Sequence, residues 1–239
     1  MDARAATEMP AESRAVRLER ALGEGAASTI LSCAILDVFP GRIALASSFG
    51  ADSAVLLHMI AAIDPATPVL FLDTGKLFAE TLAYRDTLLT RLGLRNVRRV
   101  SPTRRRLGEE DPTGYLHTVE PDACCHLRKV EPLEKALGRF DAWITGRKRF
   151  QGALRAELAV FEADGPRIKI NPLAAWSPAD IEAYFTAHDL PRHPLVAHGY
   201  LSIGCSTCTL PVKAGEEQRA GRWRGRGKTE CGIHMRKAG

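Results

Sequence analysis

Between residues 41 and 93 the chain twice alternates a short apolar run with a longer amphipathic one, and few folds accept that order. GRIALASSF reads as a buried strand ending in a Ser/Gly turn, and ADSAVLLHMIAAI follows with apolar residues at helical spacing. TPVLFLDTG is a second buried strand, and KLFAETLAYRDTLLTRLG a second helix that Gly93 stops. NVRRVS and DAWITG supply two further strands. The order predicts an α/β fold, a parallel twisted sheet with helices on both faces. Later, WSPADIEAYFTAHDL opens with Ser177, Pro178 and Asp180, a capping-box arrangement with proline in the first turn, so a helix is expected there.

The 239 residues suit one domain of ordinary size and a tail. Residues 1–24 read as an N-terminal extension with a frayed start, 25–212 as the folded domain, and 213–239, rich in Gly, Arg and Lys, as a mobile tail. No apolar run approaches the ~20 residues of a membrane span, so no membrane association is expected. The first residues mix Asp, Glu and Arg without an apolar stretch, unlike a secretory signal or a transit peptide, and the expectation is a cytoplasmic chain. A net charge of +5 suggests an anionic partner. The basic clusters RNVRRVSPTRRRLG and RAGRWRGRGK would each, taken alone, be a solvated face.

Ligands of an open parallel sheet sit beyond the carboxyl ends of its strands. SSFGADS occupies that position after the first strand, where Ser47, Ser48, Gly50 and Ser53 could cradle a phosphate at a helix N-terminus. LDTG places Asp73, Thr74 and Gly75 at the same rim, with a carboxylate able to accept from a ribose or a base. The loop is neither a Walker sequence nor GxGxxG, and a plain strand-to-helix turn would also explain it.

The six cysteines divide unevenly. Cys33 lies on an apolar helical pattern and reads as a small core residue. Cys124 and Cys125 are adjacent, Cys205 and Cys208 follow about eighty residues later as C-x-x-C, and Cys231 stands in TECGIH. Four thiols in two pairs make a metal set. Tetrahedral zinc would draw all four onto one ion, which is difficult for two consecutive helical residues, whereas a 4Fe–4S cluster spreads its ligands; spacing leaves both open.

Taken together, SSFGADS, LDTGKLFAET, CCHLRKVEPL, GCSTCT and ECGIH make the chain from Gly41 to His234 resemble the assimilatory adenylyl-sulfate (APS) reductases, grouped with the 3′-phosphoadenylyl-sulfate (PAPS) reductases. The resemblance implies an adenine nucleotide alpha-hydrolase-like fold, a homo-oligomer, and reduction of APS to sulfite and AMP with thioredoxin as electron donor. It implies a 4Fe–4S cluster on Cys124, Cys125, Cys205 and Cys208, which favours APS over PAPS because the PAPS branch typically lacks those ligands. Cys231 would be the nucleophile, carrying an S-sulfonate after attack, with Arg224, Arg226, Lys228, Arg236 and Lys237 as cationic neighbours favouring its thiolate. Lys129 would face both cluster and substrate. Arg149, Gln151, Arg155, Arg219 and Arg222 would bind substrate, and His234 would add to the field or orient the thiol; Phe150 stands where the family often has an acid. Asn171 and Trp176 read equally well as packing and turn residues. The rival classes are a basic, zinc-containing nucleic-acid-binding protein, which leaves Cys231 unused, and an ATP-pyrophosphatase-type ligase, whose full SGGxDS pattern is missing.

Overall fold

The computed structural model describes residues 9–234. Six strands, β1 (Ile43–Ser47), β2 (Val69–Leu72), β3 (Val97–Val100), β4 (Ala142–Ile144), β5 (Phe161–Asp164) and β6 (Arg167–Ile170), form one sheet in the order β3-β2-β1-β4-β6-β5. The first five of that order pair in parallel, and β5 closes the edge antiparallel to β6. The four strands expected from the apolar runs are all present. The β5–β6 hairpin was not anticipated, because its strands carry charged side chains that elsewhere face water. Its signal is Asp164-Gly165, a turn dipeptide in which Gly165 adopts φ 58°.

Both faces of the sheet are covered, and side-chain alternation within single strands shows it. Ile43 and Leu45, Val69 and Phe71, and Ala142 and Ile144 enter one apolar cluster, while Ala44, Leu70, Leu72 and Trp143 enter another on the opposite face. The larger cluster lies under α1 (Ala11–Leu22), α2 (Ala27–Ser32), α3 (Ser53–Ile63), α4 (Ala79–Leu92) and α9 (Pro178–Ala187). Gly93 stops α4 in the left-handed conformation (φ 62°), and Ser177 and Asp180 cap α9 reciprocally, as expected.

Helix α1 corrects the expectation of a frayed start. Ala11 and Ala15 are buried against β5, and the Glu19 carboxylate accepts from Val160 N and Phe161 N at 3.2 and 2.7 Å, satisfying backbone donors beside the sheet edge. AESRAVRLERAL conceals this, since the buried face is built from alanines. Residues 1–8 and 235–239 lie outside the described residues.

The opposite face carries α5 (Arg104–Glu110), α6 (Leu116–Val119), α7 (Pro121–Cys125) and α8 (Glu131–Leu137). A π-helical turn over His126–Val130 joins α7 to α8. Pro132 lacks an N–H and cannot continue a regular α ladder there. The adjacent cysteines thus end one helix, and Arg128 and Lys129 occupy the widened turn.

Candidate active site

SSFGADS makes a sharp bend at the end of β1. Phe49 takes φ 53° and is wholly buried, edge-on to Phe71 at 5.4 Å, while its N–H donates to Ser47 Oγ at 3.1 Å. A side chain at Gly50 would meet Ile203 O at 3.0 Å, so glycine lets the backbone pass beneath that segment. Beyond the bend Ser53 begins α3, its N–H donating to Gly50 O at 3.1 Å.

Ser47, Ser48, Gly50 and Ser53 line a cavity of about 190 Å³ at the carboxyl ends of β1 and β4. Its remaining walls include Lys129, Arg147, Lys148, Gln151, Arg155, Arg219, Arg222, Trp223, Glu230, Cys231 and His234. The segment expected to be a loose tail is therefore one wall of the pocket. Leu210 N donates to Gly221 O at 2.9 Å and Trp223 N to Cys208 O at 3.0 Å, stitching that wall to the C-x-x-C loop.

The cavity is strongly cationic. Arg155 donates to both Glu230 oxygens at 2.6 and 2.8 Å, and Arg219 approaches the same carboxylate at 3.3 Å. Arg147 pairs with Glu162, and Lys148 with Asp52 at 2.8 Å. Burial and the neighbouring arginines push Arg219 down to about 10. Arg222 stacks 4.4 Å from the Trp223 ring centroid, and its buried Nε has no partner among the described residues. Burial disfavours the charge of Lys129, yet Cys205 and Cys231 outweigh it and raise its pKa, so the ammonium is retained.

Lys129, Arg222 and Trp223 form a partition, since they also line a smaller cavity containing Cys124, Cys125, Cys205 and Cys208. All six cysteines are unbridged. Thr74 Oγ1 lies 3.2 Å from Cys205 Sγ and Arg226 Nη1 3.7 Å from Cys208 Sγ. Burial pushes Cys125 up to about 12, opposed by Lys129; for Cys205, burial is outweighed by Lys129, Thr74, Arg222 and Arg128, which lower it. Arg128, buried and paired with Asp111, donates to Thr74 O at 2.9 Å and ties the cysteine helix to the loop after β2. Among the described residues no three His, Cys, Asp or Glu side chains converge tightly enough to hold one metal ion.

Several expected substrate residues lie elsewhere. Asp73, Thr74 and Gly75 do not line the larger cavity: Thr74 contacts Cys205, while Asp73 accepts from Gly75 N at 2.9 Å and pairs with Arg99 at 2.6 Å. Arg149 turns away and donates to Leu158 O at 3.0 Å. Arg147 and Lys148, unanticipated, take its place because they are the first cations after β4 ends. Trp223 was also missed; it packs with Cys125 and Cys231, and its signal is a lone bulky aromatic in a Gly/Arg run. His234 stacks on Trp143 at 6.2 Å with rings parallel, and burial together with Arg147, Arg155, Lys169 and Arg219 drives its pKa well down. It is neutral and adds no positive charge. Of the cations expected around Cys231, Arg224 is held by Glu216, Lys228 pairs with Asp122, and Arg236 and Lys237 lie outside the described residues. Lys228 nonetheless interacts electrostatically with the thiol, as the unanticipated pair Lys129 and Arg219 do. Asn171 is a buried structural residue, linking Thr145, Ala159 and Glu162.

Residues 42–211 match the phosphoadenosine phosphosulfate reductase domain. The chain belongs to that family. Adenosine 5′-phosphosulfate reductases of Chelativorans sp. and Mesorhizobium japonicum are each 54% identical, over 95% and 93% of this chain and 93% and 88% of theirs. A phosphoadenosine 5′-phosphosulfate reductase of Gloeobacter violaceus is 43% identical over 82% of this chain and 83% of its own. Among solved structures, the phosphoadenylyl-sulfate reductase of Candida auris superposes with a TM-score of 0.70 at 27% identity, covering 83% of this chain and 97% of that one. FMN adenylyltransferase of Candida glabrata, at 16% identity and a TM-score of 0.56 over 87% of this chain and 71% of its own, shares the fold alone. The doubly covered, mostly parallel sheet is thus the family's reductase fold. No helix among the described residues is long and apolar enough to cross a membrane.

Proposed function

We propose that the protein reduces adenosine 5′-phosphosulfate to sulfite and AMP with thioredoxin as reductant, as in sulfate assimilation. The observation that carries the reading is that Cys231 stands in the wall of the same cationic pocket that the Ser/Gly loop lines. The two relatives at 54% identity, both named for this nucleotide, favour it over the 3′-phosphorylated one.

The chemistry follows from the pocket. Ser47, Ser48 and the first turn of α3 offer donors to the 5′-phosphate, while Lys129, Arg219 and Arg222 meet the sulfate. Cys231 thiolate attacks sulfur; the S–O bond to AMP breaks, AMP leaves with the electron pair, and the cysteine becomes an S-sulfonate. A thioredoxin thiolate then attacks Cys231 Sγ, sulfite departs with the S–S bonding pair, and the second thioredoxin thiol resolves the mixed disulfide. Both electrons come from thioredoxin. Neutral His234 orients the segment by stacking on Trp143.

Cys124, Cys125, Cys205 and Cys208 fit a 4Fe–4S cluster. Four unbridged thiols line one small cavity without closing on a single point, and Lys76, Arg128, Lys129 and Arg222 around them balance thiolate charge. When bound, such a cluster supplies a fixed charge distribution beside Lys129. Mass spectrometry after anaerobic incubation with APS or PAPS, without thioredoxin, tests the assignment. A sulfonate on Cys231 with release of AMP, absent in Cys231→Ser, is expected with APS. Preferential labelling by PAPS would overturn the substrate, and no adduct with either nucleotide would overturn the covalent route.

A further inference from the structure

Two carboxylates line the pocket and neither takes part in the proposed reaction: Asp52, which pairs with Lys148, and Glu230. Glu230 immediately precedes Cys231, and its side chain is 13% exposed. It grips Arg155, itself 7% exposed at the side chain, through two hydrogen bonds of 2.6 and 2.8 Å in fork-to-fork geometry. Arg219 adds a third contact at 3.3 Å and donates to Thr229 O at 2.7 Å, fixing the residue before it. Two consecutive residues, Thr229 and Glu230, immediately before Cys231, are therefore held by two arginines from different parts of the chain. Burial disfavours the Glu230 charge, but Arg155, Arg219 and Arg147 outweigh it and keep the carboxyl ionised.

Arg224 pairs with Glu216, Arg226 donates to His117 O at 2.6 Å and Lys228 pairs with Asp122, but these anchors precede the residue that adjoins the thiol. Residues 224–230 contain Gly225 and Gly227, both with positive φ and no neighbour within reach of an added side chain, and most of these residues are exposed. Cys231 itself is only 9% exposed. An open, glycine-bearing approach ends in a buried thiol, and the ionic clamp sits one residue before it.

We propose that Glu230 is a positioning residue: its carboxylate, clamped by Arg155 and Arg219, docks the C-terminal segment so that Cys231 faces the pocket. The role is distinct from binding the nucleotide, and its catalytic consequence rests on the reading of Cys231 as nucleophile. An ionic clamp of this kind suits a segment that must also leave, because it carries strong orientation without a large apolar contact to undo.

The test compares wild type, Glu230→Gln and Glu230→Asp, purified anaerobically with iron and sulfide quantified. Alkylation of Cys231 by iodoacetamide is followed by peptide mass spectrometry, AMP affinity by calorimetry, and Cys231 sulfonation by APS in single turnover. The glutamine variant is expected to alkylate at Cys231 faster by about tenfold or more and to sulfonate correspondingly slower at saturating APS, since removing one partner strands two buried cations. Its AMP affinity should change by less than about twofold, and the aspartate variant should fall between. Equal alkylation in all three proteins overturns the proposal, as does loss of AMP binding in step with sulfonation. If the glutamine variant does not fold, the aspartate comparison with wild type decides alone. Alkylation needs no turnover, so an unreactive wild type with APS would refute the proposed function while leaving the clamp tested.

Discussion

Replacing Gly221 by alanine should uncouple the pocket wall from the cysteine loop. A Cβ there would lie 2.0 Å from Leu210 O and 3.0 Å from Leu210 C, against backbone that no rotamer change can move. Side chains essentially never approach closer than 3.0 Å, so the segments around Thr209 and Arg222, which form an antiparallel bridge, must part by about 1 Å. The hydrogen bonds Leu210 N to Gly221 O and Trp223 N to Cys208 O, now 2.9 and 3.0 Å, would then exceed bonding distance. Two such bonds at about 1 kcal/mol each, with overpacking at about 1–3 kcal/mol, give about 3–5 kcal/mol. The strain can be relieved by undocking the segment that carries Arg222, Trp223 and Cys231, so activity should suffer before the fold does. Sulfite formation is expected to fall by at least about 30-fold, with a Tm shift under about 4 °C. Gly108→Ala, where an added Cβ meets nothing within 4 Å, is the matched control and should be neutral or slightly stabilising. A Gly221→Ala protein with wild-type turnover would show that the pairing of these segments does not hold the site together.

Two further expectations concern stability. His193 is buried, accepts from Leu195 N at Nδ1 and bonds Thr81 through Nε2, and burial lowers its pKa to about 4. A folded pKa below the unfolded value near 6.5 means that protons favour the unfolded chain. Stability should be fully present above pH 6.5 and decline by about 2–3 kcal/mol as pH falls towards 4, a slope that denaturant titrations of His193→Gln should lack. Asp111→Asn should strand buried Arg128 and loosen the cysteine helix from Thr74, lowering denaturant stability by about 3 kcal/mol and reducing bound iron; a variant with wild-type stability and iron content would exclude this role.

The sheet was legible where burial on both faces demands uninterrupted apolar runs, as in IALAS and VLFL. It was illegible where charge is buried in pairs. RIKI forms a fully buried strand because Asp164 and Glu134 receive Arg167, Asp164 also neighbours Lys169, and Lys169 lies 5.0 Å from the Trp143 ring centroid. The cysteines, Lys129, Arg155, Arg219 and Arg222 were readable as a set through their motifs. Which cations would face the pocket was not, since the difference between Arg149 and its neighbours Arg147 and Lys148 is the direction taken by the chain leaving β4. Nor was the fate of LDTG, whose carboxylate is drawn aside by Arg99, a residue of the neighbouring strand.

The Glu19 carboxylate, clasping Val160 N and Phe161 N across 141 and 142 residues of sequence, also imposes an order of assembly. Closing a loop of that length carries an entropic cost of about 4 kcal/mol beyond the constant term, and nothing available early in synthesis offsets it. The Glu19 turn of helix α1 is synthesised 141 residues ahead of the backbone it docks on. At about 5–20 residues per second that interval is about 7–28 seconds, during which Ala11, Ala15, Leu18 and Leu22 lack their native cover. Helix α1 is thus made well before it can be seated.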